Sequence, residues 1–279
     1  MKKFLIAASV IFLAASVPAM TAQDATFERT LNFTGQATLD VYTVSGHIHL
    51  TRGTDSQIHI VATVKSMGKN VKENRAHDVT LHPPIDQTGT IIQVGAHSDS
   101  LRGLSIDYEI QAPANTYISA TSGEGDVKDE GVGSSTRLNT NVGSIHASGL
   151  HGNFVLSAVT GDIYADQVGT GDVRASTGHG VIELRNVSGG LTAESGGGDI
   201  KVGGAPTSPW LLKTGAGNIE LWPGSAALSL EAMMGQGEIR TEREMVVKGT
   251  QNTHQFSGKL NGGGPLVHAE SVSGDIRIH

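Results

Sequence analysis

The sequence predicts an all-β protein that folds as a β-solenoid, and a repeat is the main reason. Eight marker glycines, each followed two residues later by isoleucine or valine, recur at a regular interval: Gly125, Gly143, Gly161, Gly180, Gly198, Gly217, Gly237 and Gly274. Successive glycines lie 18, 18, 19, 18, 19, 20 and 37 residues apart, and the last interval is about two of the others. A fixed period with a β-branched residue in one slot is typical of stacked repeats.

Composition and residue spacing exclude collagen and disfavour both disorder and leucine-rich repeats. The 37 glycines exceed average usage, but the marker glycines do not recur every third residue, as collagen requires. The segments between them are rich in valine, isoleucine and leucine, which disfavours disorder. The Leu-x-x-Leu-x-Leu frame of leucine-rich repeats does not occur in these segments. A coil of short stacked strands fits best.

Each repeat is predicted to contain two strands and two turns. Glycine at the first turn permits positive φ or a close backbone approach. The first strand follows it, and equivalent residues of successive turns would stack about 4.8 Å apart. Each buried Ile or Val would then contribute roughly 1.5–3 kcal/mol. An apolar residue recurs seven positions after the glycine, and the second strand centres about thirteen after it: Val132, Leu150, Val168, Val187, and Leu138, Leu156, Ala193, Leu211, Leu230.

Residues 26–119 predict a less regular β region that continues into the repeats of residues 120–279. Strands are expected at residues 39–44, 58–64, 90–94 and 104–111, where β-branched and aromatic residues concentrate. Residues 69–77 are polar and predict a loop or a short helix. The stretch Ser45-Gly46-His47-Ile48 already resembles the repeat unit, which would place the first rung there.

Residues 1–22 have the features of a secretory signal peptide. Lys2 and Lys3 precede an apolar stretch over residues 4–17, and small residues predict cleavage near residues 19–22. The alternative, a retained anchor, would need roughly 20 apolar residues to cross a bilayer. The chain contains no cysteine, so it has no disulfide and no thioether-linked lipid. We therefore expect an exported protein of the periplasm, the cell surface or the extracellular medium.

The charge balance disfavours two classes of partner. The chain has 20 basic and 27 acidic residues, and loss of the two signal-peptide lysines leaves 18 against 27, a net charge of −9. Nucleic-acid binding needs a basic face to displace counterions. Adsorption to anionic lipid needs one as well. We expect no nucleic-acid partner and no membrane span in the mature chain.

The residue just after each marker glycine is acidic in alternate rungs and forms a candidate calcium site. In order, the slot holds Asp126, Ser144, Asp162, Val181, Asp199, Asn218, Glu238 and Asp275. Adjacent carboxylates stacked at about 4.8 Å would repel one another unless a cation lay between them. The intervening neutral residues relieve that repulsion without a metal. We interpret the ladder as a turn device in preference to calcium coordination.

Histidines are the second candidate for a metal site. His47 and His49 are predicted to share a strand face, close enough for one zinc ion. No third ligand is identified, and His59 and His97 are the histidines that could approach. Exposed strand histidines without metal are the favoured interpretation. We therefore assign no metal-binding residue.

A carbohydrate-active enzyme on this scaffold is the alternative from another functional class. Such enzymes carry long loops with clustered carboxylates on one face, whereas the turns between Gly125 and Gly237 are nearly uniform in length. Asp162 and Asp172 could face one another within one turn. No basic partner repeats with the strand glutamates Glu183, Glu194, Glu220 and Glu231. The sequence lacks Gly-x-Ser-x-Gly and a phosphate-binding glycine loop. We expect a non-enzymatic protein, with no catalytic or cofactor-binding residue and no cofactor.

Several stretches match a known family pattern. They are residues 106–110 (IDYEI) with Pro113, 121–127 (TSGEGDV), 258–265 (GKLNGGGP) and 271–276 (SVSGDI). With the repeats, they resemble the DUF4097 family, labelled "putative adhesin" and related to the toast-rack domains of bacterial envelope-stress proteins, from about residue 27 to the C-terminus. The resemblance implies a single-stranded right-handed β-helix in the bacterial envelope, with rungs of 18–20 residues. It carries over no catalytic residue.

The predicted function is binding or scaffolding in the cell envelope, in the manner of an adhesin. The final strand, residues 274–279, has no capping helix behind it, so it is expected to offer an edge for self-association or partner docking. Trp210 and Trp222 could stack on sugars, or could equally pack in the core or at an edge. An envelope-stress accessory protein is a further alternative.

Overall fold

The computed structural model describes residues 24–54, 56–67, 74–95, 101–247, 252 and 254–279. It contains one helix, α1 (Asn74–Leu81), which lies between β4 and β5 in the chain. The strands are β1 (Ala25–Asn32), β2 (Thr38–Ser45), β3 (Ile48–Arg52), β4 (Gln57–Ser66), β5 (Ile85–Thr88), β6 (Ile91–Val94), β7 (Leu104–Ala112), β8 (Tyr117–Glu124), β9 (Val127–Glu130), β10 (Ser135–Val142), β11 (Ile145–Leu150), β12 (Asn153–Thr160), β13 (Ile163–Gln167), β14 (Val173–His179), β15 (Ile182–Val187), β16 (Leu191–Gly197), β17 (Ile200–Gly204), β18 (Trp210–Ala216), β19 (Ile219–Trp222), β20 (Leu228–Gln236), β21 (Ile239–Thr241), β22 (Val246–Val247), β23 (Gln255–Leu260), β24 (Leu266–Ser273) and β25 (Ile276–Ile278).

The strands form two long sheets that enclose one hydrophobic core. Sheet 1 has the order β1-β4-β7-β3-β9-β11-β13-β15-β17-β19-β25-β21. Sheet 2 has the order β22-β23-β20-β24-β18-β16-β14-β12-β10-β8-β2-β6-β5. A rung is one sheet 2 strand, a glycine turn and the sheet 1 strand that follows. The repeats stack in parallel, so the predicted β-solenoid is confirmed.

The isoleucine ladder lies where the repeat predicts it. Ile145 pairs with Val127 on one side and with Ile163 on the other, an offset of one repeat. These residues are fully buried, as are Ile182, Ile200 and Ile219. Ile48 pairs with Val127, so the first rung begins at Gly46, as the sequence indicates. Two residues of the other apolar repeat positions differ from the prediction. Val168 is exposed, and Leu212 rather than Leu211 points into the core.

The glycine turn brings successive rungs into direct backbone contact. Gly161 has φ of +145°, and a Cβ atom there would overlap the carbonyl oxygen of Gly143 in the preceding rung. The same overlap with the preceding glycine would occur at Gly125, Gly143, Gly180, Gly198, Gly217 and Gly274. The contact excludes an L side chain at all of these positions, and at all except Gly217 the positive φ disfavours one as well. Only glycine lets the rungs approach this closely.

A buried hydroxyl hydrogen-bonds to most of these glycine carbonyls. Thr177 Oγ1 donates to the carbonyl of Gly161 at 2.9 Å, and Thr214 Oγ1 donates to that of Gly198 at 2.8 Å. Ser122, Thr140, Ser195 and Ser271 make the equivalent bond to the glycine one rung back. Each of these residues lies three positions before its own marker glycine. A buried carbonyl without a partner is costly, so the Ser/Thr ladder stabilises the turn.

The order of the last rungs corrects two sequence-based expectations. The 37-residue interval from Gly237 to Gly274 is not two further rungs, because β23 runs antiparallel to β20. The chain then returns and inserts β24 between β18 and β20, and β25 between β19 and β21. The final strand is therefore paired on both sides. The expectation that it offers an open edge for association is wrong, since β21 and β22 form the sheet edges at that end.

The N-terminal part joins the same two sheets. β4 runs antiparallel between β1 and β7, and β7 lies beside the first-rung strand β3. α1 packs near β1 and β4. The loop or short helix predicted at residues 69–77 is a helix from Asn74 onward, and it extends beyond residue 77 to Leu81. Residues 68–73 lie outside the described part. The boundaries at 26–119 and 120–279 remain predictions.

One carboxyl group is buried inside the apolar ladder. Asp129 is fully buried and pairs in register with Leu50 and Ala147. Its Oδ1 accepts the amide of Val132 at 3.0 Å, and its Oδ2 has no protein partner among the described residues. Burial raises the pKa of Asp129 to about 7. The charged form is disfavoured because water is excluded from the site.

Asp129 should make stability depend on pH. The unfolded chain releases this proton near the ordinary value of 3.8, whereas the folded chain holds it to about pH 7. The free energy of unfolding should therefore fall as pH rises from 4 to 7. We expect Asp129→Asn to gain roughly 2–4 kcal/mol relative to wild type between pH 4 and pH 8. Chemical unfolding at both pH values measures this gain. Asp86→Asn, at an exposed strand residue, is the control, and a pH-independent difference at Asp129 would contradict the assignment.

Candidate functional site

The turn carboxylates form a hydrogen-bonded ladder. Asp126 Oδ1 accepts the amide of Ser144 at 2.8 Å, and Asp162 Oδ1 accepts that of Val181 at 2.7 Å. The pattern continues from Asp199 to Asn218, from Asn218 to Asp275 and from Asp275 to Glu238. Each side chain thus receives the amide of the same slot in the next rung. This geometry is the turn device predicted from the sequence.

At Asp275 this hydrogen bond also affects the carboxyl group's pKa. The backbone amide of Glu238 is the main cause that lowers the pKa of Asp275, opposed by burial and aided by Arg277. The described residues contain no cluster of three or more histidine, aspartate or glutamate side chains arranged to hold a metal ion. The Asp and Asn side chains of the slot are acceptors for backbone amides of the next rung, which links the rungs.

The candidate zinc histidines bind separate acids. His47 Nδ1 accepts the amide of Asp126 at 3.0 Å, whereas His49 Nδ1 lies 2.7 Å from Glu109. His59 Nε2 lies 3.6 Å from Glu28 on the edge strand β1. His97 lies outside the described residues. The structure does not bring His47, His49 and His59 together as one ligand set.

The candidate catalytic carboxylates are dispersed. Asp162 immediately precedes strand β13, whereas Asp172 immediately precedes strand β14, and Asp172 Oδ1 accepts the amide of Gly190 at 2.8 Å. The four strand glutamates divide between the outer faces of the two sheets: Glu183 and Glu220 on sheet 1, Glu194 and Glu231 on sheet 2.

Basic side chains lie beside three of these glutamates, although they do not recur at one repeat spacing. Arg185 Nε donates to Glu183 at 2.9 Å. Arg277 lies 3.9 Å from Glu220, and His268 lies 3.8 Å from Glu231. Two of the partners come from β24 and β25, the inserted strands, and therefore could not be matched by sequence spacing.

The two tryptophans have different environments. Trp210 is buried, and its Nε1–H donates to the carbonyl of Gly189 at 2.8 Å. Trp222 is 40% exposed on the outer face of sheet 1. Its ring stacks on that of His279, with centroids 4.7 Å apart and planes at 9°. Trp210 is thus a core residue and Trp222 a surface residue.

The outer face of sheet 1 carries two adjacent rows of side chains. The first row, in register order from β7 to β21, is Glu109, His49, Lys128, His146, Tyr164, Glu183, Lys201, Glu220, Arg277 and Arg240. The second row lies two residues farther along each strand and includes Glu130, Ser148, Asp166, Arg185, Gly203 and Trp222. His146 and Tyr164 stack with ring centroids 5.0 Å apart.

Two adjoining grooves run along these rows. One has a volume of about 390 Å³ and is bordered by His146, Tyr164 and Asp166. The other, the Trp222 groove, has a volume of about 640 Å³ and is bordered by Lys201, Gly203, Glu220 and Trp222. Glu183 and Arg185 border both grooves. Gly203 is not one of the marker glycines, so the repeat pattern does not predict this depression.

The outer face of sheet 2 is flatter. Its central row is polar except for Met233: Thr121, Asn139, Ser157, Ser176, Glu194, Lys213, Glu270 and Met233. Lys213 Nζ lies 2.9 Å from Glu270 in the inserted strand β24. A shallow depression of about 520 Å³ follows the glycines beside this row. No aromatic ring borders it.

The predicted signal peptide lies outside the described residues. Within the described ranges, no helix has the length and apolarity needed to cross a bilayer.

Comparison with known proteins gives a family and two distant structures. The model of the Toastrack DUF4097 family matches residues 36–279. No curated protein matches the chain. A "putative cell adhesion protein" from Clostridium sporogenes ATCC 15579 is 13% identical, with 92% of this chain and 99% of that chain covered and a TM-score of 0.33. A "putative adhesin" from Bacteroides fragilis NCTC 9343 is 15% identical, with the same coverage and a TM-score of 0.37.

The turn ladder predicts a specific mutational pattern at Asp199. Asp199→Ala removes the acceptor for the amide of Asn218 and should lower the free energy of unfolding by about 1–2 kcal/mol. Asp199→Asn keeps an oxygen acceptor and should lose less than half of that. Calcium should leave the melting temperature of the wild type unchanged relative to a chelator. A rise of several degrees with calcium, or an Asp199→Ala variant as stable as wild type, would show that the ladder has another role.

Proposed function

Because the chain belongs to the Toastrack DUF4097 family, we propose that it is an exported, non-enzymatic binding or scaffolding protein of the cell envelope, similar to an adhesin. Export is supported by the signal-peptide features of residues 1–22. The proposal includes three locations: the periplasm, the cell surface and the extracellular medium. The net charge of −9 without the two signal-peptide lysines disfavours nucleic acid and anionic lipid as binding partners.

The observation that carries the proposal is the outer face of sheet 1. Its two adjoining grooves place Tyr164 and Trp222 on strands rather than on loops. Side chains on paired strands are held in register about 4.8 Å apart, so a ligand meets an ordered surface. Sites with rigid supports lose less conformational entropy on binding. The face is suited to extended contact with a polymer or a surface.

One observation favours the carbohydrate-active enzyme as a second candidate. Glu183 and Glu220 border the same groove, two strands apart, which is about 9–10 Å at the ordinary strand spacing. Inverting glycosidases separate their two carboxyl groups by roughly 6.5–9.5 Å. However, Glu183 is bound by Arg185 and Glu220 lies beside Arg277. Neither is the carboxyl group in apolar surroundings that a general acid requires, which favours binding over hydrolysis.

A sedimentation experiment tests the binding function. Purified protein is mixed at physiological salt with bacterial envelope fragments and, in parallel, with insoluble polysaccharides, and the pelleted fraction is measured. We expect saturable pelleting on at least one material. Tyr164→Ala removes a groove ring and should weaken it several-fold, whereas Asn139→Ala on the sheet 2 face should leave it unchanged. Absence of pelleting on every material, or equal losses in the two variants, would contradict binding through sheet 1.

A further inference from the structure

We propose that the Trp222 groove, defined by Glu183, Arg185, Lys201, Gly203, Glu220 and Trp222, binds a pyranose ring of an oligosaccharide. The inference rests on the proposed binding function and gives it a ligand class and a location. It depends on three features of the groove: an aromatic ring with one free face, a strand position beside that face that carries no side chain, and a polar border.

The indole ring of Trp222 is held in place from one side. His279 covers one face at a centroid distance of 4.7 Å. The backbone of His279 is fixed because its amide donates to the carbonyl of Leu221 at 3.0 Å, and its Nδ1 lies 3.4 Å from Glu242. A stacked ring is restricted in orientation before any ligand arrives. The binding platform is therefore preorganised.

On the opposite side of the indole ring, the neighbouring position in the same row is a glycine and carries no side chain. Trp222 pairs in register with Gly203, and a Cβ atom built on Gly203 has no atom within 4 Å. The next side chain along the row belongs to Arg185 of β15, two strands away from Trp222. Two strand spacings are about 9–10 Å, so one flat ring fits between the indole ring and the Arg185 side chain.

The border of the groove is suited to hydroxyl groups. Glu183 and Glu220 supply acceptors, and Lys201, which lies between them in register, supplies donors. Within the part of the chain that the structure describes, Lys201 has no carboxylate within ion-pair distance. A pyranose ring has an apolar C–H face and a rim of hydroxyls. It therefore matches an indole floor inside a polar border.

The same border disfavours an aromatic side chain of a protein partner. Such a side chain would gain the indole contact but would bury charged groups against its edge without hydrogen bonds in return. The second groove adds a platform for a longer glycan, because Tyr164 stacks on His146 and both grooves share Glu183 and Arg185. We therefore infer an oligosaccharide rather than a single sugar.

Calorimetric titration with three soluble probes tests the inference: chitotetraose, cellotetraose and maltotetraose. We expect at least one to bind the wild-type protein with a dissociation constant of roughly 10 μM–1 mM. The same probe should alter tryptophan fluorescence, and the change should come from Trp222 because Trp210 is buried. No binding of any of the three probes would overturn the proposal.

Variants at the two sides of the slot locate the site. Trp222→Ala should weaken binding of the positive probe at least tenfold, and Trp222→Phe should retain most of it. Gly203→Gln fills the empty position and should also weaken binding at least tenfold, whereas Gly203→Ala should have a small effect. The melting temperatures should stay near that of wild type, because position 203 is open. Unchanged affinity in both Trp222→Ala and Gly203→Gln would overturn the assignment.

The sedimentation assay separates failure of this inference from failure of the proposed function. If the tetrasaccharides do not bind but envelope material still pellets the protein, the sugar assignment fails and the binding function stands. If the wild type neither pellets nor binds the probes, both fail. Pelleting that falls with Trp222→Ala and Gly203→Gln, and that the positive tetrasaccharide competes, supports both.

Discussion

From Gly125 onward, the turn of each rung packs against the carbonyl oxygen of a glycine in the preceding rung. A Cβ atom at Gly161 would overlap the oxygen of Gly143, and the same relation holds along the stack. The contact sets the rung spacing at the turn, and the hydroxyl of a residue such as Thr177 satisfies the carbonyl from inside. The isoleucine ladder then packs in register behind the turn, where burial supplies the main stabilising free energy.

This constraint determines where function can be located. The turns are occupied: the aspartates there accept the amides of the next rung, as Asp162 does for Val181. The interior is filled by apolar ladders, with Asp129 as a buried carboxyl that carries a cost at neutral pH. The outer faces of the sheets remain. On sheet 1 the glycine at position 203, which the stack does not require, leaves a depression beside an exposed aromatic ring.

The local repeat was sufficient to predict the fold and most of the core. The glycine and the β-branched residue mark every rung, including the first at Gly46. The Ser/Thr ladder was missed, although a hydroxyl residue three positions before the glycine was visible in the sequence. Val168 follows the apolar pattern yet is exposed, because the buried Gln167 hydrogen-bonds the turn at Gly171 instead.

The order of the last rungs and the groove depend on long-range pairing. A glycine turn looks the same wherever its rung is inserted, so nothing local shows that Gly274 stacks on Gly217 ahead of Gly237. The exposed Trp222 and the buried Trp210 are likewise distinguished only by the face on which each strand places them. His279 reaches Trp222 because the inserted strand β25 lies beside β19.

A matched pair of glycine substitutions tests the stacking constraint most directly. Gly161→Ala introduces a Cβ against a backbone oxygen at φ of +145°, whereas Gly203→Ala places one in open space. Equilibrium unfolding should show a loss of about 3 kcal/mol or more for Gly161→Ala. Gly203→Ala should lie within about 0.5 kcal/mol of wild type. Equal stability of the two variants would contradict the account, because the rungs would then not depend on the glycine contact.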